Sequence, residues 1–283
     1  MTDTLERDAT ARATNPPFGK TVPVGEGWDL HYLEKGAGPP VVLVHGSGPG
    51  AGGHANFSGN IDVLADAGFR VLVPDLIGFG WSSKPDDMDY TLDMFVETFR
   101  EFLDHIGIAK AVLVGNSLGG AVVMGFALAY PERVSKLVLM APGGIESRER
   151  YFQMEGILTM VSRFVGAGFD EATMGDILKL LAFDPKHVSP GMVESRLAVY
   201  KTQPKAVLGR IIIPDLTERL GELKVPIIGF WGWEDKFCPA TGAEKIVAAC
   251  PDARMTLFSR CGHWVMIERA DEFNRDVIDF ARN

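Results

Sequence analysis

Short runs of branched apolar residues alternate along this chain with stretches whose apolar positions recur every three or four residues. Pro40-Val-Val-Leu-Val-His45, Arg70-Val-Leu-Val-Pro-Asp75, Ala111-Val-Leu-Val114, Lys136-Leu-Val-Leu-Met140, Ile227-Ile-Gly-Phe-Trp231 and Arg254-Met-Thr-Leu-Phe258 read as strands. Trp28-Asp-Leu-His-Tyr-Leu-Glu34 alternates as an exposed-edge strand does. Between these runs a helix is predicted over about Ile61 to Ala67. Another carries Leu92, Phe95, Val96, Phe99, Leu103 and Ile106 on one face and is closed by Gly107. Further helices are predicted near Glu244 to Ala249 and from about Asp271 onward. Strands that are apolar throughout, separated by helices, predict an α/β protein with a mostly parallel sheet covered on both faces. Such sheets carry their chemistry on loops beyond the carboxyl ends of the strands.

The rhythm breaks from about Glu146 to Arg210, a methionine-rich stretch of helical pattern with no good strand. Met154, Leu158 and Val161 share one helical face there, and Ile177, Leu178 and Leu181 another. After Pro226 the strand–helix alternation resumes. The pattern predicts a helical cap over residues 146–210 inserted into one domain made of residues 21–145 and 211–283, with residues 1–20 as an N-terminal arm. A separate second domain is the competing reading; the return of the sheet pattern argues against it.

The chemistry centres on Ala111-Val-Leu-Val-Gly-Asn-Ser-Leu-Gly-Gly120, a strand that meets a sharp turn and then a helix, with Ser117 at the apex. Neighbouring chain passes close to such a turn, so side chains at Gly115 or Gly119 would collide, and the amide of Leu118 is left at a helix N-terminus. Chance and a membrane span both compete with this nucleophile elbow, but the glycines interrupt any span, and candidate partners follow in the right order. Serine needs an adjacent base oriented by a third group. Of the histidines, His31 and His105 fall in regular elements, His45 opens the glycine loop Gly46 to Gly53 and fits a role pinning it, and His187 lies in the cap. His263, in Cys261-Gly-His-Trp264, stands just past a late strand. The acid belongs between Ser117 and His263 at a strand end. Trp231-Gly-Trp-Glu-Asp235 offers two, of which Asp235 is preferred with Glu234 as rival, whereas Asp75 precedes the serine and suits its own loop. Amides of Ser47 or Gly48, with that of Leu118, would form an oxyanion hole. A phosphate loop is the alternative for Gly46 to Gly53, but no Gly-Lys-Ser/Thr ending is present.

In Pro190 to Tyr200, Arg196 shares a helical face with Met192, Val193, Val199 and Tyr200. One reading has it snorkel or pair with a nearby acid; the other has it face the pocket between cap and core, waiting for a carboxylate or enolate. Cap methionines Met154, Met160 and Met192 suggest an adaptable apolar pocket. Of the 283 residues 46% are hydrophobic, enough for a large core, and a net charge of −9 argues against nucleic acid or an anionic membrane as partner. Cys238, Cys250 and Cys261, an odd number without metal-ligand spacing, fit a reducing compartment, and the polar Met1 to Pro17 carries no secretion signal. A soluble cytoplasmic protein with no cofactor and no metal is the expectation.

Gly46-Ser-Gly-Pro-Gly-Ala-Gly-Gly-His-Ala-Asn56, the elbow, Ala141-Pro-Gly-Gly144, Cys261-Gly-His-Trp264 and Asp271-Glu-Phe-Asn274 together resemble the meta-cleavage product hydrolases, carbon–carbon bond hydrolases of the α/β-hydrolase fold. The resemblance runs from about Trp28 to the C-terminus and is weakest in the cap. It implies an eight-stranded, mostly parallel sheet with a helical cap and a triad of Ser117, Asp235 and His263. Arg196, followed by Gln203-Pro204, would be the family's cap arginine, and Asn56, Asn116 and Trp264 would hold the dienoate part of an anionic 2-hydroxy-6-oxo-hexa-2,4-dienoate substrate. A homo-oligomer is implied as well. His54 and Val265-Met266 depart from the family's pattern and bear on the acyl side of the substrate. A carboxylesterase or lactonase with the same triad, and a ligand-binding relative without turnover, are the alternatives.

Overall fold

The apolar runs of the sequence come together in one sheet. In the computed structural model, which describes residues 18–165 and 169–283, the strands are β1 (Lys20–Val24), β2 (Trp28–Lys35), β3 (Pro40–Val44), β4 (Arg70–Pro74), β5 (Tyr90–Thr91), β6 (Ala111–Asn116), β7 (Val134–Met140), β8 (Ile211–Ile212), β9 (Ile227–Gly232) and β10 (Ala253–Phe258). Eight of them lie in the order β1-β2-β4-β3-β6-β7-β9-β10, and β5 pairs separately with β8. β2 runs antiparallel to both its neighbours, and every other pairing in the large sheet is parallel. The α-helices are α1 (Gly53–Asp66), α2 (Leu92–His105), α3 (Leu118–Ala129), α4 (Arg148–Tyr151), α5 (Glu155–Val165), α6 (Glu171–Leu181), α7 (Pro190–Tyr200), α8 (Lys205–Gly209), α9 (Thr241–Ala249), α10 (Val265–Glu268) and α11 (Ala270–Arg282).

Successive residues of a strand face opposite sides of a sheet, so continuous apolar strands make two cores. Val42, Val44, Leu113, Leu137 and Leu139 point to the side packed by α2, α3 and α9. Val41, Leu43, Val112, Val114 and Val138 point to the side packed by α1, α10 and α11. With both faces occupied, open space for a ligand is left at the strands' carboxyl ends. There the chain leaves the sheet after β7, builds α4 to α8, and returns through β9.

Two elements differ from the sequence reading. β2 is not an edge strand: β1, too short and polar to be read from its sequence, covers it, which leaves His31 only 2% exposed. Helix α1 begins at Gly53, well before Ile61, because the Asp75 carboxylate accepts the Gly53 amide at 2.6 Å and supplies the cap that the N-cap residue Gly52, having no side chain, cannot. Of the expected N-terminal arm over residues 1–20, Met1 to Pro17 fall outside the described residues, and Lys20 already belongs to β1. No helix among the described residues is long and apolar enough to cross a membrane.

Candidate active site

Ser117 sits where β6, in the middle of the sheet, meets α3. Its backbone is left-handed (φ 53°, ψ −118°), a conformation that costs a non-glycine residue on the order of 1–3 kcal/mol and has to be imposed by its surroundings. Two hydrogen bonds impose it, from the Ser117 amide to the Met140 carbonyl (3.0 Å) and from the Gly143 amide to the Ser117 carbonyl (2.8 Å). The flanking glycines are required sterically: a Cβ on Gly115 would lie 2.5 Å from the Gly119 carbonyl oxygen, and one on Gly119 would lie 2.1 Å from that of Val44.

The loop after β9 carries Asp235, buried like His263. One carboxylate oxygen of Asp235 lies 2.7 Å from His263 Nδ1; the other accepts the amides of Phe237 (2.7 Å) and Cys238 (3.0 Å). The rival Glu234 instead accepts the Cys261 amide at 3.1 Å. The main-chain amides of His263 and Trp264 both donate to the Leu181 carbonyl, at 2.8 and 3.2 Å, so the end of α6 grips the histidine loop. Glu268 tightens that grip, because its buried carboxylate accepts the amides of Gly262, Phe183 and Asp184 at 2.7, 2.9 and 3.1 Å.

Ser117 and His263 share the wall of one cavity of about 510 Å³, together with Ser47, Gly48, Leu118 and Arg196. The Ser117 hydroxyl interacts with the Cys238 thiol, whose pKa burial pushes well up. No Ser117–His263 hydrogen bond forms among the described residues. Catalytic hydrogen bonds commonly tighten only once substrate is bound, and a serine hydroxyl changes neighbour by a turn about χ1. Asn56, Asn116 and Trp264 do not line the cavity. Asn56 donates to Asn116 (3.0 Å), which donates to the Met140 carbonyl (3.2 Å), and the Trp264 ring lies 5.4 Å from the Arg196 guanidinium. Those two asparagines brace the elbow.

His45 shapes the glycine loop. Its Nδ1–H donates to the Gly46 carbonyl at 2.7 Å and its Nε2 accepts the Leu76 amide at 3.0 Å, a pattern that requires the neutral ring; burial also lowers its pKa. Gly50, at φ 60°, passes so close to α7 that a Cβ would lie 1.9 Å from the Arg196 carbonyl oxygen. Gln203 bridges the same gap, accepting the Gly50 amide (3.1 Å) and donating to the Gly78 carbonyl (3.0 Å). Arg196 is thus fixed against the loop that carries Ser47 and Gly48.

The guanidinium of Arg196 is only 2% exposed, and its Nε and Nη1 have no hydrogen-bond partner among the described residues. Burial lowers its pKa from 12.5 to about 10, and no acidic group offsets that burial. Of the two sequence readings, the one in which Arg196 snorkels or pairs with a nearby acid fails, and the side chain lines the cavity.

The remaining sequence candidates fall elsewhere. His31 and Asp75 form a buried pair at 2.7 Å, and Asp75 also accepts the Gly53 and Trp81 amides, so it holds its own loop. His105 is exposed. All three cysteines are free and buried. Met160 lines the cavity whereas Met154 and Met192 do not, so the pocket is less methionine-rich than the cap sequence suggests. His54 is exposed and packs on Phe18, and Val265 and Met266 lie in the core, so none of these departures reaches the cavity. Cys238 and Glu268 were missed. Cys238 had one available signal: it follows the acid by three positions on a loop that must fold back over it.

A model of the α/β hydrolase fold family matches residues 39–183. The 2-hydroxy-6-oxo-6-phenylhexa-2,4-dienoate hydrolase of Comamonas testosteroni is 35% identical over 262 residues, covering 89% of this chain and 91% of the relative. The 2-hydroxy-6-oxononadienedioate/2-hydroxy-6-oxononatrienedioate hydrolase of the same organism is 36% identical over 263 residues, covering 90% and 91%. Among solved structures, a mutant of the meta-cleavage product hydrolase from Pseudomonas fluorescens IP01, complexed with acetates, superposes with a TM-score of 0.81 at 29% identity, covering 93% of this chain and 97% of that one. With its serine elbow, its Asp–His pair and its buried arginine around one cavity, the chain belongs to the meta-cleavage product hydrolases of the α/β-hydrolase fold.

Proposed function

We propose that the protein hydrolyses the C5–C6 bond of a 2-hydroxy-6-oxo-hexa-2,4-dienoate, giving 2-hydroxypenta-2,4-dienoate and a carboxylic acid. Cleaving carbon–carbon expels a carbanion, a far worse leaving group than the alkoxide of an ester. Moving the proton of the 2-hydroxyl to C5 makes C2 a ketone conjugated with the C3–C4 double bond, an electron sink for the pair released when C5–C6 breaks. Arg196 holds the C1 carboxylate and the charge developing on the C2 oxygen, in a setting where desolvation strengthens both contacts.

Ser117, its hydroxyl swung from Cys238 toward His263, then attacks C6, with His263 taking its proton and Asp235 orienting the ring. The amides of Leu118 and of Ser47 or Gly48 hold the oxyanion. Collapse breaks C5–C6 and returns the electrons to the C2 oxygen, which is protonated to give the dienoate; water then releases the acid from Ser117. Asn56, Asn116 and Trp264 act by holding the elbow and the arginine. Residues 146–210 serve as the cap, and 21–145 with 211–283 as the core. The reading extends to a cytoplasmic homo-oligomer, supported by the free buried cysteines and by exposed Trp233, Val247 and Leu257 around the β10 edge.

The observation that carries the proposal is a buried cation with unsatisfied N–H groups on the wall that also holds Ser117 and His263. Esterase chemistry has no use for it. The test compares wild type with Arg196→Ala on a coloured 6-phenyl dienoate and on a p-nitrophenyl ester. Dienoate turnover should collapse while ester turnover persists; equal retention of both would remove the arginine from the reaction.

A further inference from the structure

The relatives divide by what hangs on C6. Some are named for a neutral phenyl group, others for a dioate whose C6 chain ends in a second carboxylate. We infer that this cavity takes a neutral, apolar C6 substituent and rejects a carboxylate there. The inference rests on the reaction proposed above and deepens it.

Among the described residues four charged side chains line the cavity: Arg196, Glu146, Arg148 and Asp215. Arg196 lies at one end, against the glycine loop and Trp264, and feels no acid. Glu146 and Asp215 lie together at the other, where Thr217, which donates to Asp215, also reaches the Ile145 carbonyl at 3.1 Å and the Leu216 amide donates to the Gly144 carbonyl at 2.6 Å. In the sheet order β3-β6-β7 the glycine loop against Arg196 follows β3, Ser117 follows β6 and the segment Gly143 to Glu146 follows β7, so the serine stands between the two ends. A dienoate with C1 at Arg196 and C6 at Ser117 therefore extends its substituent toward Glu146 and Asp215.

That end holds Ile213 beside Gly144 and Tyr151, kept a neutral phenol chiefly by burial, and the rest of the cavity wall is largely apolar, with Ile157, Met160 and Val161. A terminal carboxylate would lose water there and meet two acids. Glu146 is already engaged with Lys245 at 2.8 Å, and Lys245 does not line the cavity. Asp215 accepts from the amide and hydroxyl of Thr217 and remains an anion on the rim. Arg148 and Asp215 are both exposed, so water screens the attraction of the one and the repulsion of the other alike, and the half-buried Glu146 with the desolvating wall decides against a carboxylate. Apolar length, in contrast, gains roughly fourfold in binding per buried methylene until the wall is filled.

The test measures kcat/KM of the wild-type enzyme for three ring-fission products: 6-phenyl, 6-propyl, and the nonadienedioate whose C6 chain is the carboxylate counterpart of propyl. The phenyl and propyl substrates should exceed the dioate by at least tenfold, and 0.5 M salt should narrow the gap. Glu146→Gln should shift the propyl-to-dioate ratio at least threefold toward the dioate, and the exposed Asp215→Asn should shift it the same way by less. Because the salt series needs no variant, a misfolded mutant does not spare the inference. A dioate turned over as well as propyl, or a ratio that neither salt nor either variant moves, overturns it. Turnover of the p-nitrophenyl ester but of no dienoate would instead overturn the reaction on which it rests.

Discussion

Replacing Arg196 with Met should make the protein more stable while removing its grip on substrate. A fall in the arginine pKa from 12.5 to about 10, caused by burial, corresponds at about 1.36 kcal/mol per pKa unit to about 3 kcal/mol of strain on the charged form. The sign follows from proton binding. Between the folded and unfolded pKa the unfolded chain holds the extra proton, so stability rises with pH only above about 10, and the full penalty is present at neutral pH. The Trp264 ring, 5.4 Å from the guanidinium, offsets roughly 1 kcal/mol of it. Met keeps most of the buried volume without the charge. The net expectation is a gain of about 2 kcal/mol in urea denaturation at pH 7 with an unchanged m-value. Saturating 2-hydroxypenta-2,4-dienoate should close the difference, since ligand at about 100 times its Kd stabilises the wild type by about 2.7 kcal/mol and the variant hardly at all. A variant less stable than wild type by more than about 1 kcal/mol would mean the guanidinium already has a structural partner, and the reasoning would fail.

Three further outcomes are expected. Ser117→Ala and Asp235→Asn should each lower dienoate turnover by about 10⁴-fold with circular dichroism unchanged, and residual rates above a few per cent would remove the residue from its role. Glu268→Gln leaves buried amides facing an NH₂ group in place of a carboxylate oxygen; it should cost about 2–3 kcal/mol in urea denaturation and lower kcat, and a change under 0.5 kcal/mol would mean the three amides are held by something else. For His31, burial favours the neutral ring, but the hydrogen bond and charge of Asp75 outweigh it and raise the pKa above 6.5. That contribution is complete below pH 6.5 and is lost as pH rises through the raised value, so wild type should lose stability on that alkaline limb and His31→Gln should not; parallel curves would refute the pairing.

The sheet was legible because a strand buried on both faces has to be apolar along its buried length, and β3, β4, β6, β7 and β9 are written that way, with Arg70, Asn116, Ser135 and Lys136 kept toward strand ends. β1 was not, since among its five residues only Val24 is fully buried, and its hydrogen bonds rather than its side chains make it a strand. Helix α1 started early for a related reason: its first turn depends on a carboxylate contributed from the end of β4, which no local pattern can reveal. Ser117 and His263 could be found because loop glycines and strand ends constrain where they fall. Glu268 could not, because what places it is its bonds to the Gly262, Phe183 and Asp184 amides, and Cys238 carried only the signal of its spacing from the acid.

Main-chain donors explain both the stability of this site and the part of it that the sequence concealed. Three buried carboxylates each lock a loop by accepting backbone amides: Asp75 the start of α1 and the turn at Trp81, Asp235 its own loop beside the imidazole, Glu268 the histidine loop against the cap. Any residue type can donate an amide, so nothing in the partner's identity betrays the bond. Each of these anions is satisfied from within the chain. Arg196 differs: two of its nitrogens are buried with no acceptor, and burial acts on it with no acid to offset it. A charge left unsatisfied by its own fold is most economically explained by an anion arriving from outside, and the cavity it faces is the one that holds Ser117 and His263.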